Sequence, residues 1–358
     1  MSHAPPLGAL LRQYAAGSAL TCEPVDQGLL NRGYRLCTTR GRYFLKHHFD
    51  PETADPAAIA RQHRATQRLA DLGVPVAPPL TGTDGRTVAV VGGHAYALHP
   101  WVDGRHRHGA QLTTEQCARL GALLGVVHAS LEQVMPAEGR GPVKPAEGAA
   151  LSAGTALSPA AAPSPGAAPA DGADPADTFA LIDHLLARVR RHRPSDAFDE
   201  LARHRLLERR ALLERHADRR PPQGASVGWV HGDFHPFNLL YRDGEPAAIV
   251  DWDRLGVQPR AEEAVRAAVI FFVRPVGALD LTKVRAYARA YRRTAGAAPS
   301  ELAAAVHRVW WERLNDFWIL RWHYERGDTR ADPQFPAASA LAVWWTREYE
   351  AVCEAFAG

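Results

Sequence analysis

The sequence lacks the cysteine spacing of a zinc site or a disulfide framework. Its four cysteines, Cys22, Cys37, Cys117 and Cys353, are scattered, and no two form a CxxC pair. They read as reduced packing residues of a cytosolic protein. It also lacks an excess of charge of either sign. Lysine and arginine total 42 against 39 acidic residues, a net charge of +3 over 358 residues. That balance carries no electrostatic footprint for nucleic acid. The basic runs RHRHG at 105–109 and RVRRHRP at 188–194 are those of solvated helix faces. No apolar run approaches the ~18 residues that span a bilayer. The N-terminal MSHAPPLGALLRQYAAG has no basic start followed by a long apolar stretch, so it does not read as a secretion signal. The expectation is a cytoplasmic protein with neither nucleic-acid nor membrane partners, its oligomeric state left open.

What is present is enough length for two lobes and a sizeable core. In the first hundred residues, RTVAVV at 86–91 and HAYAL at 94–98 flank Gly92-Gly93, a hairpin signal. GYRLCT at 33–38 and RYFLK at 42–46 form a second hairpin around Thr39-Arg40-Gly41. PAAIARQHRATQRLADLG between them reads as one helix closing on Gly73. After Pro100-Trp101 the character becomes helical. Thr113 with Gln116 forms a capping box ahead of an apolar stripe containing Leu120, Leu124, Val127 and Leu131. Residues 136–178 are dominated by alanine, proline, glycine and serine and read as a disordered insertion. Helix resumes at about 179–219, broken near Pro194, and the last hundred residues are helical, with six of the nine tryptophans. The fold class is therefore α+β: an antiparallel-sheet lobe over 1–98 and a larger helical lobe over 99–358.

The chemistry concentrates in WVHGDFHPFNLLYRDGEPAAIVDWD, residues 229–253. NLLY at 238–241 and PAAIV at 246–250 are strands joined by the turn Arg242-Asp243-Gly244-Glu245. In an antiparallel hairpin the start of one strand lies beside the end of the other. Asn238 and Asp251 therefore fall at the same open end, and the loop carrying Asp233 leads into it. An amide and carboxylates suit a hard cation such as Mg²⁺. A further aspartate just before the metal-binding asparagine is the arrangement phosphoryl transfer needs: one carboxylate for the acceptor hydroxyl, the other groups for the metal.

His231-Gly232-Asp233, then Asn238, then Asp251-Trp252-Asp253 resemble the catalytic and metal motifs of the aminoglycoside phosphotransferase and choline kinase-like family. The resemblance covers nearly the whole chain outside 136–178. It implies a two-lobed protein-kinase-like fold and an ATP- and Mg²⁺-dependent phosphotransferase acting on a hydroxyl of a small molecule. It implies Asp233 as the catalytic base and Asn238 and Asp251 as metal ligands. It assigns Lys46 to phosphate, and Gly28 and Asn31 to the nucleotide-covering loop. Leu98 and His99 fall at the hinge that takes adenine. His231, His235 and Asp253 are support or substrate contacts. Glu262 and Glu263, with the helix around Trp310, Trp311, Trp318 and Trp322, are candidates for an acceptor pocket suited to an amine. The stretch HAYALHPWVDGR is similar to the spore-coat branch, and homoserine kinase-like enzymes belong to the same family. One departure stands out: Gln62 occupies the position where a helix glutamate would pair with Lys46. This opens an alternative, a catalytically weak pseudokinase that binds nucleotide.

Overall fold

The computed structural model describes residues 4–25, 32–49, 54–135, 172–222 and 227–358. A short helix α1 (Leu7–Gln13) precedes strands β1 (Ala19–Val25), β2 (Arg32–Thr38) and β3 (Gly41–His48). Helix α2 (Pro56–Asp71) follows, then β4 (Ala89–Val91) and β5 (His94–Pro100). The strands form one antiparallel sheet in the order β1-β2-β3-β5-β4. Both expected hairpins are present, and Gly92 and Gly93 adopt φ of 62° and 80° as their tight turn requires. The strand expected from residue 86 pairs only from Ala89. β1 gives no sequence signal because it is an edge strand: its side chains are largely exposed and it contains Pro24, which only an edge tolerates.

α2 starts where Asp55 accepts hydrogen bonds from the amides of Ala57 (3.0 Å) and Ala58 (3.1 Å), with Pro56 at its first position. It ends ahead of Gly73, at φ 81°. Leu36, Leu45, Tyr96 and Leu98 of the sheet pack with Leu10, Leu11 and Tyr14 of and just after α1.

The remainder is helical around one larger core. α3 (Thr114–Val134) begins with the expected capping box between Thr113 and Gln116. α4 (Pro175–Arg191) and α5 (Ala197–His216) follow. The expected insertion lies outside the described residues over 136–171, and its boundary at 178 is corrected. Asp174 caps α4 by accepting from the Ala176 amide at 2.8 Å, and Pro175 fits the first turn. The start of this helix is hidden at the end of an Ala/Pro-rich run.

Three short strands then frame the chemistry: β6 (Gly228–Val230), β7 (Leu239–Arg242) and β8 (Glu245–Ile249), with β9 (Gly256–Gln258) returning to pair with β6. Helices α6 (Arg260–Phe272), α7 (Leu281–Ala295), α8 (Pro299–Asn315), α9 (Trp318–Arg321), α10 (Phe335–Arg347) and α11 (Tyr349–Ala357) complete the chain. α3 packs closely on α7. A Cβ added at Gly121 would stand 2.1 Å from the Tyr287 carbonyl oxygen, so only glycine allows that approach. Trp310, Trp311 and Trp345 are fully buried, and Trp322 nearly so; these indoles are core rather than pocket lining.

Candidate active site

The turn between β7 and β8 has positive φ at both central residues, Asp243 (53°) and Gly244 (88°), which fixes a two-residue hairpin. Leu239 pairs with Ile249, and one step further the Val250 amide donates to the Asn238 carbonyl at 2.9 Å. Asn238 and Asp251 therefore sit at the open end of the hairpin, as their spacing predicts. Asp251 is held at φ +60°, a conformation that few residues besides glycine, Asn and Asp adopt.

The loop from His231 reaches the same end. A 3₁₀ turn over Pro236–Asn238 is capped by His235, whose Nδ1 accepts from the Phe237 amide at 3.2 Å. The Asn238 side-chain amide donates to the Asp233 carbonyl at 2.8 Å and lies 3.4 Å from Asp233 Oδ2. With the nitrogen so committed, the amide oxygen is the atom left to act as a ligand. With Nδ1 accepting, His235 Nε2 is the donor nitrogen; it stands 3.4 Å from Asp233 Oδ2, so this ring braces the Asp233 carboxylate.

His231 is fully buried, and its ring settles its own tautomer. Nε2 donates to the Val250 carbonyl at 3.0 Å, and Nδ1 accepts from the Asp233 amide at 3.2 Å. One nitrogen carries the proton and the other receives one, so the imidazole is neutral. Burial, the largest influence, pulls its pKa below the ordinary histidine value. His231 is thus a strut between the His-Gly-Asp loop and the hairpin.

Gly232 follows at φ +85°. A Cβ there would stand 2.2 Å from the Arg254 carbonyl oxygen, so the two loops touch backbone to backbone. Glu263, on α6, secures the first loop from beneath. Its carboxylate accepts from the amides of His231 (3.3 Å) and Gly232 and lies 2.7 Å from His128 Nε2. Glu262 is likewise buried, held by Arg266 at 2.8 Å and by Arg308. The expectation of an open acceptor pocket at these two glutamates is corrected. Both spend their oxygens on protein donors, which places them as supports.

Lys46, near the end of β3, crosses to the metal-motif loop. Its ammonium lies 2.8 Å from Asp251 Oδ1 and 2.7 Å from Asp253 Oδ1. Burial works against the charged lysine, but Asp251 and then Asp253 outweigh it and hold its pKa above the ordinary value. Asp251 is also penalised by burial, yet Lys46 keeps it well below the usual carboxylate range. Asp253 is pushed up to about 6, chiefly by burial, with the pull of Lys46 opposed by the neighbouring Asp251 charge. Asp251 keeps 41% of its side chain accessible against 20% for Asp253, so it is the carboxylate a ligand reaches first.

The expected Gln62–Lys46 pairing is replaced by another contact. The Gln62 side-chain amide donates to the Asp253 carbonyl at 2.8 Å. The lysine takes both its charged partners from the metal-motif loop instead.

The remaining expectations divide. Gly28 and Asn31 lie outside the described residues. Leu98 is in the sheet core, and its carbonyl accepts from the Leu80 amide at 2.7 Å. His99 is directed at the Ala77 carbonyl through Nδ1 (2.9 Å), and burial lowers its pKa to about 4.

Asn238 and Asp251 offer an amide oxygen and an accessible carboxylate, both pre-oriented by backbone or side-chain bonds. That all-oxygen donor set fits Mg²⁺ and does not fit a soft metal. Lys46 neutralises the Asp251 carboxylate of this set.

A sheet lobe joined to a helical lobe through a lysine–aspartate contact, with a His-Gly-Asp loop at the junction, is the plan of a kinase-like phosphotransferase. The chain belongs to the phosphotransferase enzyme family, whose sequence pattern matches residues 21–297. Among solved structures, an aminoglycoside phosphotransferase from Alicyclobacillus acidocaldarius shares the fold at a TM-score of 0.59 and 14% identity, over 99% of this chain and 96% of that one. A microcompartment-associated aminopropanol kinase is similar at a TM-score of 0.58 and 15% identity, over 98% and 99%. The homoserine kinase of Neisseria meningitidis serogroup B is 31% identical over 118 residues, 33% of this chain and 37% of that protein. The chain thus matches little more than a third of the length of its curated relatives.

Proposed function

We propose that the protein transfers the γ-phosphoryl group of ATP to a hydroxyl of a small, amine-bearing molecule. The observation that carries this reading is the convergence of Asp233, Asn238 and Asp251 at one hairpin end, with Lys46 brought to Asp251 from the opposite lobe. The proposed division is a lobe of 1–98 that covers the nucleotide and a lobe of 99–358 that carries the loops.

In this reading Asp233 accepts the proton of the acceptor hydroxyl. Its carboxylate lies beside His235 and Asn238, which fix its direction. Asn238 and Asp251 would hold Mg²⁺, which supplies neutralisation of phosphate charge when bound. Lys46 leaves its carboxylate partners to engage phosphate oxygens. His231 and Glu263 keep the loop in register. The amine in the acceptor is suggested by the relatives' names: homoserine and aminopropanol each carry an amine and a hydroxyl. No observation favours the alternative of a nucleotide-binding protein without transfer, which rests on Gln62 alone.

The test is ADP formation with Mg·ATP and a panel of amino alcohols, amino acids and aminoglycosides. Acceptor-dependent turnover that disappears in Asp233→Asn is expected. Turnover unchanged in Asp233→Asn would overturn the assignment.

A further inference from the structure

Away from the phosphotransfer site, two imidazoles and a carboxylate meet. His192 caps the C-terminus of α4, Asp199 lies in the first turn of α5, and His323 sits in a single π-helical turn, Trp322–Arg326, that follows α9. Each offers a ligand atom, and the three atoms lie within 4.8 Å of one another. Such π turns occur frequently at functional sites. We propose that His192, Asp199 and His323 form a Zn²⁺ site that fastens the α4–α5 junction to the segment after α9.

The surroundings are those of a metal site rather than of a simple ion pair. His323 Nδ1 is 2.8 Å from Asp332 Oδ2, which fixes that ring and leaves Nε2 as its ligand atom. A carboxylate behind a ligating imidazole is the usual outer partner of zinc-bound histidine. Among the described residues Asp332 Oδ1 has no hydrogen-bond partner, so the contact to His323 is the side-chain bond this carboxylate makes. Asp199 is 2% exposed and is itself oriented: the Tyr324 hydroxyl donates to Oδ1 at 2.6 Å and the Asp196 amide to Oδ2 at 3.0 Å. Phe198 stacks on the His323 ring with centroids 4.3 Å apart. A His192–Asp199 hydrogen bond, 2.9 Å long, would need neither the second imidazole nor Asp332.

Two imidazoles and one carboxylate suit zinc in tetrahedral geometry, with water as the fourth ligand. Zinc–ligand bonds of about 2.0–2.2 Å place tetrahedral ligand atoms about 3.3 Å apart. The His192–Asp199 contact, at 2.9 Å, widens to that spacing, and the His323 atom, within 4.8 Å, closes to it. His192 is the part able to move, because it sits at a helix end with 38% of its side chain exposed. The site takes no ligand from the cysteines, which is why cysteine spacing gives no sign of it.

Full-length, tag-free protein stripped with chelator and titrated with Zn²⁺ in excess Mg²⁺ tests this by calorimetry and melting temperature. One tight equivalent is expected, with a higher melting temperature. His192→Ala, at a partly exposed helix end, folds and loses the tight equivalent. Asp332→Asn keeps the stoichiometry but weakens binding by about 10–100-fold. Loss of Phe198 stacking makes His323→Ala the less clean variant, so His192→Ala is the deciding one. Absence of a tight equivalent in the parent protein, or an unchanged one in His192→Ala, would overturn the proposal.

Discussion

The side-chain amide of Gln62 donates to the backbone carbonyl of Asp253 at 2.8 Å, across 191 residues of sequence. A helix residue of the sheet lobe thereby holds the loop that presents two carboxylates to Lys46. A glutamate at this position has no proton to donate and would set an acceptor against an acceptor. Gln62→Ala should cost about 1 kcal/mol, the usual net value of such a bond. Gln62→Glu should cost more than Gln62→Ala, read from denaturant melts of the three proteins. A Gln62→Glu protein more stable than the parent would contradict this account.

Asp233 and Asp251 should separate in their effects. Asp233→Asn is expected to abolish transfer while Mg·ATP still binds, because the residue is assigned to the acceptor hydroxyl. Asp251→Ala removes the accessible carboxylate and one of the two anions beside Lys46. Metal-dependent nucleotide binding should therefore weaken about tenfold or more, taking 1.4 kcal/mol as a factor of ten. Nucleotide titration at fixed Mg²⁺ followed by turnover distinguishes them, and equal loss of binding in both would be the contrary result.

Glu263 holds two loop amides and His128 with one buried carboxylate. Burial acts against its charge, but the His128 contact holds its pKa below the ordinary glutamate value. Glu263→Gln keeps the shape and substitutes an NH₂ for one of the accepting oxygens. An expected loss of about 1–3 kcal/mol follows from the buried group left unpaired. Turnover should fall further than the Michaelis constant for ATP rises, since the loop carries Asp233. Steady-state kinetics alongside thermal melts give both readings.

His63 supplies a pH signature. Burial, with the nearby His99 and Lys46 charges, lowers its pKa to about 3, while its Nδ1 is 2.8 Å from the Thr87 hydroxyl. The unfolded chain protonates near the ordinary value of about 6.5. The stability from a neutral His63 is thus fully present above that pH and is lost as pH falls through 6.5 toward 3. His63→Gln does not titrate. The stability advantage of the parent protein over His63→Gln should shrink between pH 7 and pH 5. A gap that is constant or widens across that interval would refute the assignment.

The β7–β8 hairpin is legible in the sequence because its signal is local: a DG turn, two short apolar strands and polar residues at matching ends. The antiparallel sheet and its helix are legible for the same reason, through Gly92-Gly93 and the Asp55-Pro56 start. What escapes depends on distant partners. Nothing around Glu263 reveals that His128, 135 residues earlier, will meet it. Gln62 reads as a weak substitute for glutamate because its true partner is a carbonyl, which sequence does not display. β1 is invisible because an exposed edge strand has no alternation to show.

The backbone contact at Gly232 makes the His-Gly-Asp loop and the metal-motif loop a single mechanical part. A cleft that opens and closes must flex elsewhere, because sliding one loop past the other would drive Gly232 into the Arg254 carbonyl. Asp233 and Asp251 are therefore carried by segments locked to one another, and a movement of the sheet lobe would leave their separation unchanged. The coupling is steric as well: any side chain placed at 232 would have to be matched by a displacement at 254, so a change in one segment is felt in the other.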